Sequence, residues 1–389
     1  MRKAGRHFLQ IPGPSNVPDP VLRAMARPTI DHRGPEFAEI TGRIFRNLKP
    51  VFQTEGPVLL FPSSGTGAWE AALVNTLSPG DRVLGFETGH FAALWKKVAE
   101  RLGLEVQWVE GDWRHPVDLE AAEAALAGDA ELAIKAVLVV HSETSTGALS
   151  DVAGVRGLLD RTGHPALLLV DTISSLASVD YRHQEWGVDV TVCCSQKGLM
   201  LPPGLGMNAV SQKAIEASAA AKLPRSYWDW APVLTMNERN FFPYTPPTNL
   251  LFGLDAALEL LLEEGMQSVF ARHRRLARAT RKAVQAWGLE LCCLDTGQNT
   301  DSLTAVRMPE GHDADALRKL ILDRFDLSLG TGLGKVKGRV FRIGHLGDMN
   351  DLMLVGTLGG VEMGLGLAGV PHEPGGVAAA MEYLAGEPA

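Results

Sequence analysis

The sequence predicts an α/β protein in which a mostly parallel sheet is covered by helices on both faces, with a smaller α+β domain after it. Three observations carry this. Between Pro57 and Val210, short apolar runs rich in β-branched residues alternate with helical patterns. The runs 136–140 (AVLVV) and 166–170 (ALLLV) lack polar alternation, as central strands buried on both faces require. A length of 389 residues exceeds what one ordinary core fills, so a second domain is expected.

In chain order, strands are predicted at 58–61, 82–86, 105–109, 136–140, 166–170, 188–194 and 205–210, with helices at 67–77, 91–102, 119–126 and 152–160 between them. An irregular proline-rich stretch around 242–247 then gives way to long helices at 250–263 and 269–287. The remainder reads as strands near 289–294 and 303–307, a helix at 313–324, a strand at 340–344 and a helix from Asp348. As domains, this is an N-terminal segment 1–16, a large domain 17–255 and a small C-terminal domain 256–389.

The 46% hydrophobic and 21% charged content, with 41 glycines, describes a globular chain with many tight turns and no extended disordered region. A net charge of −8 argues against a nucleic-acid or anionic membrane surface and leaves room for a local anion pocket. The four cysteines, Cys193, Cys194, Cys292 and Cys293, form adjacent pairs that match neither a zinc nor a CxxC spacing, so buried apolar roles and no metal are expected. The first residues hold a few basic side chains but no apolar stretch, no run is long enough to span a bilayer, and the final residues carry no peroxisomal-type tripeptide. A cytoplasmic protein is the expectation.

Three segments carry chemistry. Residues 63–70 (SSGTGAWE) follow a strand and open a helix, so hydroxyls and backbone N–H groups can surround an anion at the positive helix end. A plain Ser/Gly turn has the same composition. Asp171 closes an apolar strand, which puts a carboxylate at the sheet edge where open α/β folds bind ligands; a helix cap is the bland alternative. Another apolar strand ends at Cys194 and delivers Lys197 to the same edge, although an isolated lysine is ordinarily just solvated. An amine, a phosphate cradle and a carboxylate on one rim fit pyridoxal 5'-phosphate: the amine forms a Schiff base, the cradle holds the phosphate and the carboxylate keeps the ring nitrogen protonated. Lys197 then doubles as general base at the substrate Cα.

The ordered segments PGPSN from Pro12, SSGTGAWEAAL, NTLSPGD, HSETSTG, LLLVDTISS, EWGVD, SQKGLMLPPGLG, PYTPPT, ARHRRLARATR, AWGL and VFRIGHLG resemble the class V, fold type I aminotransferases over essentially the whole chain. The likeness is strongest to the serine:glyoxylate and aspartate:glyoxylate members. It implies a PLP-transferase fold and a homodimer with shared sites. It also implies small amino acid and 2-oxo acid substrates, with L-serine as preferred donor to glyoxylate and aspartate or alanine as alternatives. By the same resemblance, Ser64, Gly65, Thr66 and Gln196 hold the phosphate region, Phe91 and Ile173 cover the two ring faces, and Thr144 lies near the ring hydroxyl. Asp171 pairs with the ring nitrogen, and Tyr244, Thr245 and Thr248 reach the neighbouring subunit's phosphate. Arg342 grips the substrate carboxylate, as its planar fork suits, while Pro12 and Gly13 lie beside the substrate. Cys193 and Cys194 before Ser195, and Thr172 where a glycine is common, depart from the pattern. A lyase or desulfurase of the same fold would want a catalytic cysteine on a mobile loop. A dinucleotide-binding enzyme would want GxGxxG, which SSGTGAWE lacks.

Overall fold

The computed structural model describes residues 4–386. Its first strand, β1 (Phe8–Gln10), is followed by β2 (Val58–Ser63), β3 (Arg82–Phe86), β4 (Glu105–Val109), β5 (Ile134–Val140), β6 (Leu167–Asp171), β7 (Val190–Cys194) and β8 (Gly204–Val210). The strands β9 (Glu290–Leu291), β10 (Leu303–Arg307), β11 (Leu327–Thr331) and β12 (Val340–Gly344) come later in the chain. Strands β2 to β8 form one sheet in the order β2-β8-β7-β6-β5-β3-β4, parallel except for β8, which opposes both neighbours.

The unbroken apolar runs are explained by a core on each face. Val137 and Val139 of β5 pack with residues of helices Pro35–Phe52, Val152–Thr162 and Thr248–Glu264. Ala136, Leu138 and Val140 of the same strand turn to helices Gly65–Thr76 and His90–Arg101. Alternation puts successive side chains on opposite faces, and each buried Val or Leu contributes about 1.5–3 kcal/mol. A strand with one wet face could not carry such a sequence.

The other five strands form a sheet in the order β1-β11-β12-β10-β9, with β1 parallel to β11 and the remaining pairs antiparallel. Helices Ala314–Phe325, Asp351–Leu367 and Gly376–Gly386 close a separate core with it. The arginine-rich helix Met266–Ala286 joins the two: Val269 packs into the first sheet's core, and Leu276, Ala279 and Ala283 pack into the second's. Helix Thr248–Glu264 crosses residue 255 without a break, and its apolar residues as far as Leu261 belong to the first sheet's core. Among the described residues no helix is long and apolar enough to cross a membrane, and no cluster of potential metal ligands occurs. All four cysteines are buried and free.

Candidate active site

The carboxyl ends of β2, β3, β5, β6 and β7 meet around a cavity of about 220 Å³. That is the edge at which parallel α/β sheets bind ligands, because the strands end there and the helices that follow begin there. Asp171 is the last residue of β6, and Gln196 and Lys197 lie in the turn after β7. Ser64, Gly65 and Thr66 follow β2, Phe91 begins the helix after β3, and Thr144 follows β5. Ile173 and Gly13 complete the set of sequence-derived residues that line the cavity.

Lys197 is buried, and its ammonium donates to the carbonyl of Pro12. Burial pulls its pKa down to about 8; Arg342 adds to the fall, while Cys194 and Asp171 oppose it. About a tenth of the amine is therefore unprotonated at pH 7, far more than in an ordinary lysine, and a nucleophile and base requires that form. Gly13 has φ +106, and a Cβ there would lie 2.7 Å from Lys197 Nζ, so only glycine lets this segment cover the amine.

Asp171 is likewise buried, and each of its oxygens accepts a fixed donor. Oδ1 takes the Ile173 N–H at 2.7 Å and Oδ2 takes the Trp69 Nε1–H at 2.9 Å. Burial pushes its pKa up to about 7; the Ile173 and Trp69 bonds and Lys197 oppose this, and Glu143 reinforces it. A carboxylate raised by desolvation and restrained by donors is poised to pair with a cation that enters the cavity.

Across from these groups lies the N-terminus of helix Gly65–Thr76. Asp118, Asp151, Ser211, Asp229, Asp313 and Asn350 each cap a helix with a side-chain hydrogen bond, whereas Ser64 makes no such bond. Among the described residues the N–H groups of Gly65, Thr66 and Gly67 and the hydroxyls of Ser64 and Thr66 have no hydrogen-bond partner, and Gln196 Oε1 is buried without one. Unpaired donors at a helix N-terminus form a receptor for an anion such as a phosphate. The close packing of Gly65 on Ile173 leaves no space for a Cβ.

Two participants went unassigned in the sequence. Trp69 lines the cavity and holds Asp171. Glu143, fully buried, accepts from the N–H groups of Phe91 (3.2 Å), Ala92 (3.1 Å) and Ser145 (3.0 Å) and from the Ser145 hydroxyl (2.7 Å). It thereby caps the helix that starts at His90 and fixes the backbone of Phe91. The placement of Glu143 in HSETSTG and of Trp69 in GTGAWE was visible, but the direction of neither side chain was. The Thr144 hydroxyl meets that of Ser174.

Arg342, in the middle of β12, stands just outside the lining. Its Nε donates to Thr331 O at 2.8 Å and its Nη1 to Thr144 O at 2.9 Å, which fixes the guanidinium plane and leaves Nη2 without a hydrogen-bond partner among the described residues. Burial lowers its pKa to about 10, so it stays charged at neutral pH. Pro12 packs beside it over Gly330.

Tyr244, Thr245 and Thr248 do not line the cavity of their own chain. The Tyr244 hydroxyl donates to Leu60 O at 2.6 Å and its ring stacks on Tyr227 at 5.2 Å; Thr245 is exposed and Thr248 is buried. Tyr227 in turn donates to Pro62 O, so the aromatic group sits beside the strand that leads to Ser64.

The sequence model of the class-V aminotransferases matches residues 7–334. The chain belongs to that family. Within it, this class-V aminotransferase is 48% identical to a serine–glyoxylate aminotransferase of Methylorubrum extorquens, over 100% of this chain and 98% of the relative. It is 47% identical to an L-aspartate–glyoxylate aminotransferase of Paracoccus denitrificans, over 96% and 95%. The crystal structure of pyridoxamine–pyruvate aminotransferase from Mesorhizobium loti superposes with a TM-score of 0.92 at 27% identity, covering 98% of each chain. The fold is therefore that of the fold type I pyridoxal-phosphate enzymes, and pyridoxal phosphate is the cofactor that the family uses.

Proposed function

We propose that this enzyme transfers the amino group of a small L-amino acid, L-serine by preference, to glyoxylate, giving hydroxypyruvate and glycine. The observation that carries the reading is the convergence of Lys197, Asp171 and the uncapped helix at Gly65 on one cavity. Their chemistry fits pyridoxal phosphate: an amine for its aldehyde, a carboxylate for its ring nitrogen, and N–H donors with the orphaned Gln196 for its phosphate. Bound there, the cofactor supplies an electron sink for the pair released when the substrate Cα–H bond breaks, and it carries the amino group between the two half-reactions.

The protein's own groups do the rest. Ser64, Gly65, Thr66 and Gln196 would hold the phosphate, Phe91 and Ile173 would flank the ring, and Thr144 would lie by the ring hydroxyl. Asp171 holds the proton on the ring nitrogen. Arg342 binds the substrate carboxylate through its charge and its open Nη2 and sets its orientation. Lys197 Nζ would hold the cofactor and, once substrate has displaced it, would be the base that takes and carries the Cα proton. Pro12 and Gly13 roof the amine and limit the side chain that fits.

The cavity wall carries no arginine or histidine, and Arg342 at its margin serves the α-carboxylate. A neutral hydroxymethyl or methyl side chain suits this wall better than a second carboxylate, which favours serine. The name of the Paracoccus relative makes aspartate the rival, and alanine is the third candidate. The test is a single half-reaction: mixing the holoenzyme with each donor and following the cofactor absorbance. Serine should convert it fastest, and conversion by aspartate with none by serine would overturn the choice. A desulfurase finds no support, since burial holds Cys194 up to about 12 and Cys292 and Cys293 up to about 11, far from a reactive thiolate.

We also propose a cytoplasmic homodimer in which Tyr244, Thr245 and Thr248 face the phosphate of the second copy. Support comes from their position outside their own cavity and from the exposed Tyr227 beside them. Within the described residues, the segment as far as 16 reaches the site, and the cofactor-binding and smaller units expected at 17–255 and 256–389 meet after Leu261, with Met266–Ala286 as the shared helix. Equilibrium sedimentation tests the dimer.

A further inference from the structure

Helix Gly65–Thr76 serves the cavity twice: its first turn presents free N–H groups, and one turn later it sends the Trp69 indole to the carboxylate at the end of β6. We infer that Trp69 is a positioning residue, whose indole N–H holds Oδ2 of Asp171 so that the carboxylate remains anionic and fixed toward the ring nitrogen of the cofactor. The inference deepens the function proposed above and rests on that reading.

The physical case begins with the donor. An indole N–H can donate but cannot accept, and it does not titrate in water. Toward a carboxylate it is always stabilising, whereas a protonated carboxyl must turn its own hydroxyl away from it, so the bond favours the anion. Trp69 is 2% exposed, so no water replaces the bond when it is lost. Trp95 stacks on the indole at 5.9 Å and 13° and fixes its plane, while the Nε1 of Trp95 itself has no partner.

The other groups that face Asp171 are few. Glu143 after β5 disfavours its charge, Lys197 beyond β7 favours it, and Cys193 and Cys194 on β7 are neutral thiols, raised by burial. Glu70, on the same helix as Trp69, is turned to the Trp228 indole. Lys197 becomes committed to the cofactor aldehyde when the site fills. The two N–H donors, from Ile173 and Trp69, then remain as the fixed groups that oppose burial; with both in place Asp171 lies near neutrality, so the loss of one donor moves its charge.

The test measures pyridoxal phosphate affinity of the cofactor-free protein against pH, from about 5.5 to 9, by cofactor absorbance. Four proteins are compared: wild type, Trp69→Phe, Asp171→Asn and the double variant. Trp69→Phe should move the acid limb of the affinity profile up by about one pH unit and weaken binding about tenfold at pH 7. In the Asp171→Asn background the same substitution should shift nothing, since there is no titrating carboxyl to act on. Trp95→Phe, which disturbs the stack but spares the N–H, should leave the limb in place. An unshifted limb in Trp69→Phe, or an equal loss at all pH values in both backgrounds, overturns the inference. If Trp69→Phe does not fold, replacing the residue with benzothienylalanine, which has the indole shape without its N–H, gives the same reading. Failure of the wild-type protein to take up pyridoxal phosphate would instead overturn the proposed function.

Discussion

The two sheets contribute to the site by different means. The seven-stranded sheet contributes side chains directly: Asp171 and Lys197 stand at strand ends and reach into the cavity, each with its charge state set by burial. The five-stranded sheet contributes one side chain at the margin and a cover: Arg342 of β12, oriented by Thr331 O, and β1, which leads the chain to the Pro12 carbonyl above the amine. In the proposed reading, the contrast makes holding the cofactor and aligning the substrate separable tasks, built on different cores. Substitutions in the first sheet should abolish cofactor chemistry, whereas those in the second should change substrate affinity and leave the cofactor in place.

The largest effect that can break this contrast is at Lys197. Lys197→Ala should reduce turnover by about four orders of magnitude, and borohydride should no longer fix cofactor to the chain, as peptide mapping would show. Activity retained in that variant would remove the basis for the whole site. Next comes Arg342→Gln, for which kcat/KM for the amino donor should fall about 10²–10³-fold, the cost of losing a buried charge-assisted pair. The cofactor spectrum should be unchanged. A loss of cofactor equal to the loss of substrate affinity would show that the two tasks are not separate. The smallest effect is on pH dependence. Because the Lys197 amine is lowered to about 8, only its neutral form attacks the aldehyde, so cofactor uptake should quicken about tenfold per pH unit below that point and level above it. The sign follows from burial, which disfavours the ammonium; a rate that falls with rising pH would contradict it.

The stability consequence runs in opposite directions for the two groups in the cofactor-free protein. Asp171 keeps its proton in the folded state up to about pH 7 while the unfolded chain has released it, so its contribution falls as pH rises from about 4 to 7. Lys197 sheds its proton early in the folded state, so its contribution falls as pH drops below about 10, until about 8.

Legibility in the sequence followed how local each signal was. The strands of the large sheet were readable because continuous apolar runs have one physical explanation, and Asp171 and Lys197 were readable because each terminates such a run. The strand β1 and its partner β11 were not predicted, since FLQ is three residues long and its partner is remote. The strand expected near 289–294 contracts to Glu290–Leu291: the Cys292 N–H still donates to Ala305 O at 2.9 Å, but its carbonyl accepts from Arg114 Nε at 2.5 Å. Helix Pro35–Phe52 was missed although Phe37, Ile40, Ile44, Leu48 and Val51 repeat at helical spacing; Gly42 and Pro50 interrupt the pattern. Trp69 and Glu143 show the deeper limit. Their residue types were plain, but a hydrogen bond across 102 positions to Asp171, or one from Glu143 to the helix start at Phe91, belongs to tertiary packing.

The pairing of β1 with β11 also bears on when the enzyme becomes complete. His7 and Asp326, at the edge of that pairing, are 319 positions apart, so the chain's opening residues have no partner until most of the polypeptide has been made. The strand that leads to the segment over the reactive amine is thus docked late in synthesis, while Ser15 ties that segment to the amine's own turn through Gln196 O at 3.0 Å and Lys197 O at 2.8 Å.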